Sequence, residues 1–372
     1  MTEQIKSEAQ NFESMAVKAN LSNVEREYFE KLKAELKQIL GGKTLEDIEK
    51  TQNLVLARKA SGKMARILEF LKSKEINDEE MEERREKEKA YEELLVWARD
   101  DFGREDAEEW IEKTFDLDEL PIVKVRRTKL DLSGTAVSYL PGKLQVDSLD
   151  ISETKNLAAL PDGIKLKKLD ASGSELATLD GVEVTISINI CFNNKIKSLP
   201  QGTSVEKLQA THSALSTLEG VEVTKFLNII SNRNIESLKK GTKLEQLHAE
   251  GRSLSTLEGV EVTKVLNINY NEKIASLPKG TKLEALYAAE GALSTLEGVE
   301  IAKILNIKGN KNIKSLPSGI NLEELNASNC ALEDLPNDLI VSGTLLISGC
   351  SETVKQKARE LYEKGQIGTL AL

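Results

Sequence analysis

One motif returns at a fixed interval through the middle of this chain. LKKLDASGSELATLDGVEV begins at Leu166, VEKLQATHSALSTLEGVEV at Val205, LEQLHAEGRSLSTLEGVEV at Leu244, LEALYAAEGALSTLEGVEI at Leu283 and LEELNASNCALEDLP at Leu322, each start 39 residues after the last. Between them runs a second unit: TISINICFNNKIKSLPQGTS from 185, TKFLNIISNRNIESLKKGTK from 224, TKVLNINYNEKIASLPKGTK from 263 and AKILNIKGNKNIKSLPSGIN from 302. The period is therefore a 19-residue unit followed by a 20-residue unit, with weaker copies upstream from 127 and downstream to GTLLISGC at 343. Self-similarity at such an interval marks a solenoid, because one short unit cannot bury its own apolar face and must stack on its neighbours.

Each 19-residue unit reads L-x-x-L-x-[LA]-x-x-polar-x-L-x-x-L, with Leu169, Ala171, Leu176 and Leu179 as one set. The L-x-L segment predicts a strand with alternate residues inward. The later leucines turn the chain back beneath it, so the strands stack as a parallel sheet. At 19–20 residues per unit the return arm is too short for a regular helix plus loops. Extended or 3₁₀ turns, punctuated by Leu-Pro and Gly, are expected there.

The pattern resembles leucine-rich-repeat proteins. The short units, the LPxG returns and segments such as LEELNASNCALEDLP are most similar to the bacterial short-repeat (LPX-type) class. The resemblance covers about residues 120–350. It implies an α/β fold: a leucine-rich-repeat horseshoe with a parallel sheet on its concave side. Known members of that class include secreted effectors with a helical N-terminal cap. Two departures stand out. The family's buried asparagine is absent from the 19-residue units, where the position reads Thr135, Ser174, Ser213, Arg252, Gly291 and Cys330. The 20-residue units keep it as Asn193, Asn232, Asn271 and Asn310, with Thr154 in the first, and carry one extra residue before the next apolar position. These asparagines are expected to bond loop amides and carbonyls, since buried polar groups need partners.

Before the repeat the period is 3.6. Val24, Tyr28, Phe29, Leu32, Leu36 and Leu40 predict a helix over Asn23–Leu40, stopped by Gly41 and Gly42. Further helices are expected over about 45–60 with Thr44 as cap, from about Lys63, and from Asn77 or Asp78 to about Asp101. The last contains EERREKEK, a solvated stretch, and Trp97 and Trp110 are expected to pack within this region. The organisation expected is an all-helical domain over 1–116, a solenoid over 120–350 and a cap over 351–372. That cap is one helix begun by Ser351, which buries Val354, Ala358, Leu361 and Tyr362 at the end of the core.

Charge divides the chain in the same place. Residues 1–120 hold 21 basic and 31 acidic side chains, and the remainder holds 30 of each. A net charge of −10 argues against nucleic acid as a general partner. No apolar run reaches the ~18 residues of a membrane span, and the first residues carry neither a basic nor an apolar leader region. Three cysteines without metal-site spacing make a disulfide framework or a zinc site improbable. A cytoplasmic, reducing compartment fits best, the alternative being export without a classical signal peptide. The chain lacks nucleotide-loop, nucleophile-elbow and zincin motifs, so no enzyme and no cofactor is expected. By alternation Cys191 and Cys350 face outward, without a histidine nearby.

Two outward columns carry the functional expectation. One reads Asp131, Asp150, Asp170, Asn189, Gln209, Asn228, His248, Asn267, Tyr287, Asn306 and Asn326: a polar ladder. The other begins Lys129, Ser148, Lys168, Ser187 and Lys207, then turns to Phe226, Gln246, Val265, Ala285 and Ile304 before Glu324. Ile230 is expected on the strand face of Phe226, with Tyr287 near it. Solvated sheet faces do not need such an apolar run, and exposed apolar patches mark partner sites. Phe226, Ile230, His248, Val265, Tyr287 and Ile304 are therefore the candidate contacts of a protein or peptide bound on the concave face. Two alternatives stay open: an effector-like scaffold acting on host proteins, and an oligomer assembled through the N-terminal helices.

Overall fold

The computed structural model describes residues 23–41, 54–72 and 78–372. The chain divides into two compact units, Met1–Glu86 and Lys87–Leu372. In the first, α1 (Asn23–Leu40) buries Phe29, Leu32 and Leu36, three and four residues apart, on one face. Gly41 ends it at φ +58°, its amide bonding the carbonyls of Lys37 and Gln38. Helix α2 (Leu54–Lys72) buries Ala60, Met64, Ile67 and Leu68. The sequence predicts two helices here, but one runs through Gly62. The buried face continues across that glycine, and its cost of ~1 kcal/mol is not enough to break the helix. The expected caps Thr44 and Asn77 lie outside the described residues.

Helix α3 (Asp78–Val96) continues into a π turn, Trp97–Asp101, so it reaches Asp101 as expected. Within its charged stretch Glu82, Glu83, Arg84, Glu86 and Lys89 are exposed. The sequence ends the helical region at 116; the second unit begins at Lys87. Helix α4 (Ala107–Thr114) and the π turn put Trp97, Phe102, Trp110 and Phe115 in mutual ring contact, at 5.0–6.4 Å between centroids. Trp97 Nε1 donates to the Tyr139 carbonyl at 2.8 Å, and Asp101 accepts from the Ser138 amide at 2.8 Å. Leu94, Trp97, Ile111 and Phe115 share one core with Leu130, Leu132, Val137 and Leu140 of the first repeat. Local period cannot reveal this, because the partners of these aromatics are distant in sequence.

The solenoid is a parallel sheet of thirteen strands in chain order. Its strands are β2 (Lys129–Asp131), β4 (Ser148–Asp150), β5 (Lys165–Asp170), β6 (Glu183–Asn189), β7 (Ser204–Gln209), β8 (Glu222–Asn228), β9 (Lys243–His248), β10 (Glu261–Asn267), β11 (Lys282–Tyr287), β12 (Glu300–Asn306), β13 (Asn321–Asn326), β14 (Ile340–Leu346) and β15 (Ile367–Ala371). A separate two-stranded ribbon pairs β1 (Val123–Lys124) with β3 (Leu144–Gln145). Inward residues from Leu130 to Leu345 stack at 2% exposure or less. The seven-residue strands each carry one residue more than their six-residue neighbours, which appears as a bulge, as between Val262 and Val265.

Beneath the sheet the polar ladder Thr154, Ser174, Asn193, Asn232, Asn271 and Asn310 is fully covered apart from traces, and Ser213 continues it. Each asparagine donates to carbonyls of its own or the preceding turn, as Asn310 does to Ala288 at 2.7 Å and Ile307 at 2.8 Å. Cys330 and Cys350 end the ladder, their thiols against the carbonyls of Ile307 and Ala327. Cys350 is thus buried, not outward: the strand has ended at Leu346, and after the left-handed Gly349 the chain turns in beneath the sheet, as it does before the other rungs. Burial pushes the Cys330 thiol up to about 11 and raises that of Cys350.

The return arms are extended segments and turns until the last, which holds α5 (Glu352–Glu363). Ser351 caps it by accepting from the Val354 amide. Val354, Ala358 and Leu361 are buried, but Tyr362 is 48% exposed. The helix is not terminal in the fold. It crosses over to β15, whose Thr369, Leu370 and Ala371 pair with Thr344, Leu345 and Leu346.

Candidate functional site: the outward face of the sheet

Strand pairing reproduces both predicted columns. Lys129, Ser148, Lys168, Ser187 and Lys207 lie side by side, followed by Phe226, Gln246, Val265, Ala285, Ile304 and Glu324. Phe226, Val265 and Ile304 are half-buried, and Ala285 between them is buried. They stand on alternate strands, so ~9.6 Å separates neighbours at ~4.8 Å per strand. Around Phe226 the face is hollowed into a depression of about 510 Å³, lined by Lys207, Gln209, Lys225, Gln246, Glu206 and Glu245.

An alternating charge ladder runs along one side of this apolar column. Lys225 meets Glu206 at 2.9 Å, Lys303 meets Glu284 at 2.7 Å, and Lys264 meets Glu245 between them. Hydrogen bonding to Lys264 lowers the Glu245 carboxyl, and Lys303 does the same for Glu284. Exposed pairs of this kind add little to stability, because solvent screens them. Their consequence here is neutrality along the rim.

On the other side, Asp131, Asp150, Asp170, Asn189, Asn228, Asn267, Asn306 and Asn326 have a common role that composition does not reveal. Each accepts, through one side-chain oxygen, from the amide two residues on, at 3.0–3.2 Å. These Asx turns lead the chain into a left-handed residue one position later. Phe192 and Tyr270 occupy that position at φ +57° and +62°, and they are 60% and 45% exposed. The repeat signals the position, since Gly134, Gly173 and Gly251 hold its equivalents. Phe192 stacks on His212 at 5.4 Å.

The candidate residues are brought together unevenly. Phe226 and His248 meet at 5.4 Å between rings on adjacent strands. Tyr287 stands between Asn267 and Asn306, two strands on from His248. Ile230 lies past the end of β8, in the turn, where its carbonyl accepts from the His212 amide at 2.9 Å. Burial lowers the His248 imidazole below its ordinary value, and the nearby Glu250 carboxylate offsets part of this. An unfolded chain then takes up a proton at ~pH 6.5 that the folded chain resists. Stability should fall as pH drops from that value through the lower one of the folded chain. Thermal melts at neutral pH and one unit below the ordinary histidine value should show this loss in the wild type and a smaller one in His248→Gln.

Among the described residues no group of three or more side chains could hold a metal ion, and no helix is long and apolar enough to cross a membrane. No protein-family model, no curated protein and no solved structure matches the chain.

Proposed function

We propose that the solenoid is a leucine-rich-repeat horseshoe and serves as a non-enzymatic protein-binding module, with the outward sheet face as its receptor surface. The observation that carries this reading is the apolar column Phe226, Val265 and Ile304, half-buried on a face whose other columns are polar, with a hollow at Phe226. The sheet supports it as a rigid platform: side chains fixed by thirteen paired strands lose little freedom when a partner docks. The neutral charge ladder beside the column would neither repel nor demand a strongly charged partner. The partner is a protein or peptide with an apolar ridge, framed by acceptors for the side-chain amides of Asn228 and Asn306; Asn189 and Asn267 donate theirs to Asp170 and Glu250.

Phe226→Asp and Ile304→Asp test this. Both side chains are partly exposed, so neither change should lower the melting temperature. Affinity capture with the full chain, run beside both variants, should retain a protein that each variant loses by at least about tenfold, the scale of an interface hot spot. Equal retention by wild type and variants would remove the face from consideration. A fall in melting temperature would assign these side chains to the core instead.

A further inference from the structure

The ribbon of β1 and β3, with the start of β5, borders a second cleft far along the sheet from Phe226. Its volume is about 710 Å³, within the ~300–1,000 Å³ of small-molecule sites. Val125, Leu144 and Val146 give it an apolar floor. Lys124, Arg127, Lys143 and Lys165 line it against one carboxylate, Asp147.

Two of these cations are already engaged, Lys124 with Glu119 at 3.2 Å and Lys165 with Glu183 at 3.0 Å, and Asp147 is held by Lys167 at 2.9 Å. Arg127 and Lys143 make no ion pair among the described residues. Arg127 also lines an adjoining cleft of about 300 Å³ with Lys113, Lys129 and Asp131, where Lys113 is paired with Glu109 and Lys129 with Asp131 and Asp150. The excess is local: residues 122–168 hold nine basic and five acidic side chains in a chain of net charge −10.

Lys143 also holds a left-handed backbone, at φ +55°. It stands one residue after Gly142, which fills the place that Gly181, Gly220, Gly259 and Gly298 take in the later 19-residue units, two after the return leucine. A glycine at 143 would hold the same conformation without the crowding of a side chain.

We propose that this cleft binds an organic phosphate, the phosphate meeting Arg127 and Lys143 and the apolar body lying on Val125, Leu144 and Val146. The planar guanidinium offers paired donors to phosphate oxygens, and the lysine adds a mobile point charge. The apolar floor distinguishes such a ligand from inorganic phosphate. This site is separate from the protein-binding face and does not depend on it.

The test is calorimetric titration of the full chain with ATP as the probe and adenosine as the uncharged control. ATP should bind, more weakly as salt is raised, and adenosine should not. Arg127→Gln should lower the affinity for ATP at least tenfold. Lys143→Gly should do the same with an unchanged or higher melting temperature, because glycine relieves the left-handed strain, which separates loss of ligand from loss of fold. No binding of ATP at millimolar concentration, adenosine binding as tightly as ATP, or unchanged affinity in both variants would overturn the proposal.

Discussion

Replacing Asn193 with alanine is expected to destabilise the solenoid by ~3–6 kcal/mol. The side chain is fully buried. Its Nδ2 donates to the carbonyls of Ser174 and Leu176 at 3.2 and 3.0 Å, and its Oδ1 accepts from the amides of Lys195 and Ile196, both at 2.9 Å. Alanine leaves the carbonyls of Ser174 and Leu176 and the Ile196 amide without partners and away from water, and at ~1–2 kcal/mol each these three account for the loss, while the part-buried Lys195 amide can turn to water. Asn271 is the control. It donates to Ala249, Ile268 and Asn269, but its Oδ1 has no partner among the described residues. Asn271→Ala should therefore cost half as much or less, since only the Ala249 carbonyl is stranded: those of Ile268 and Asn269 keep the backbone amides of Asn271 and Gly251, and a carbonyl tolerates a lost bond better than an amide. Urea unfolding of the two variants measures the difference. Because a solenoid is held by nearest-neighbour contacts, amide exchange should rise first in the turns on either side of each substitution. Equal losses at the two positions would mean that the amide-accepting oxygen is not what matters.

Deleting residues 351–372 should have the other large effect. It removes α5 and β15 together, and with them the cover over Val341, Leu345 and Ile347, all fully buried. Val354, Leu361 and Ile367 contribute the covering side chains. At ~1.5–3 kcal/mol each, their loss amounts to ~4–9 kcal/mol, comparable with the whole stability of many domains at ~5–15 kcal/mol. It also bares β14 as a seven-residue edge strand that can pair with another chain. The truncated protein should show frayed final turns and concentration-dependent association by light scattering. A monomer with an unchanged melting temperature would show that the final crossover adds nothing to the stack.

Strand register was legible because it is set by alternation and repetition. Placing Leu169, Ile188 and Leu208 inward obliges Asp170, Asn189 and Gln209 to form an outward row, and the pairing follows. What sequence could not reveal depends on distant contacts. The membership of Trp97 and Phe115 in the repeat's core rests on partners such as Leu130 and Val137. Cys350, by contrast, was legible: it stands three after Ile347 as Cys330 stands three after Ala327, a rung position past the strand end where alternation no longer applies. β15 has the residues of a strand, IGTLA, but follows a helix and lacks the return arm that identifies the others. The outward aromatics were missed for another reason: Phe192 and Tyr270 follow a strand end, where alternation stops and Asx turns take over. The columns around Phe226 were visible in advance, and the hollow beside it was not, since a depression depends on how long side chains settle.

The unbulged and bulged strands alternate from β5 to β14, and the asparagine rungs beneath them alternate with Ser174, Ser213, Arg252 and Gly291. The smallest segment that meets its own copy correctly is therefore two turns, not one. Loss or gain of a single unit would set a six-residue strand beside another, and would place two equal rungs where Ser213 and Asn232 now complement each other at 2.8 Å. A 39-residue segment can be spliced in or out with every junction preserved. An array built on this unit can lengthen or shorten without a mismatched junction only in even steps, so its sheet face would extend by ~9.6 Å at a time.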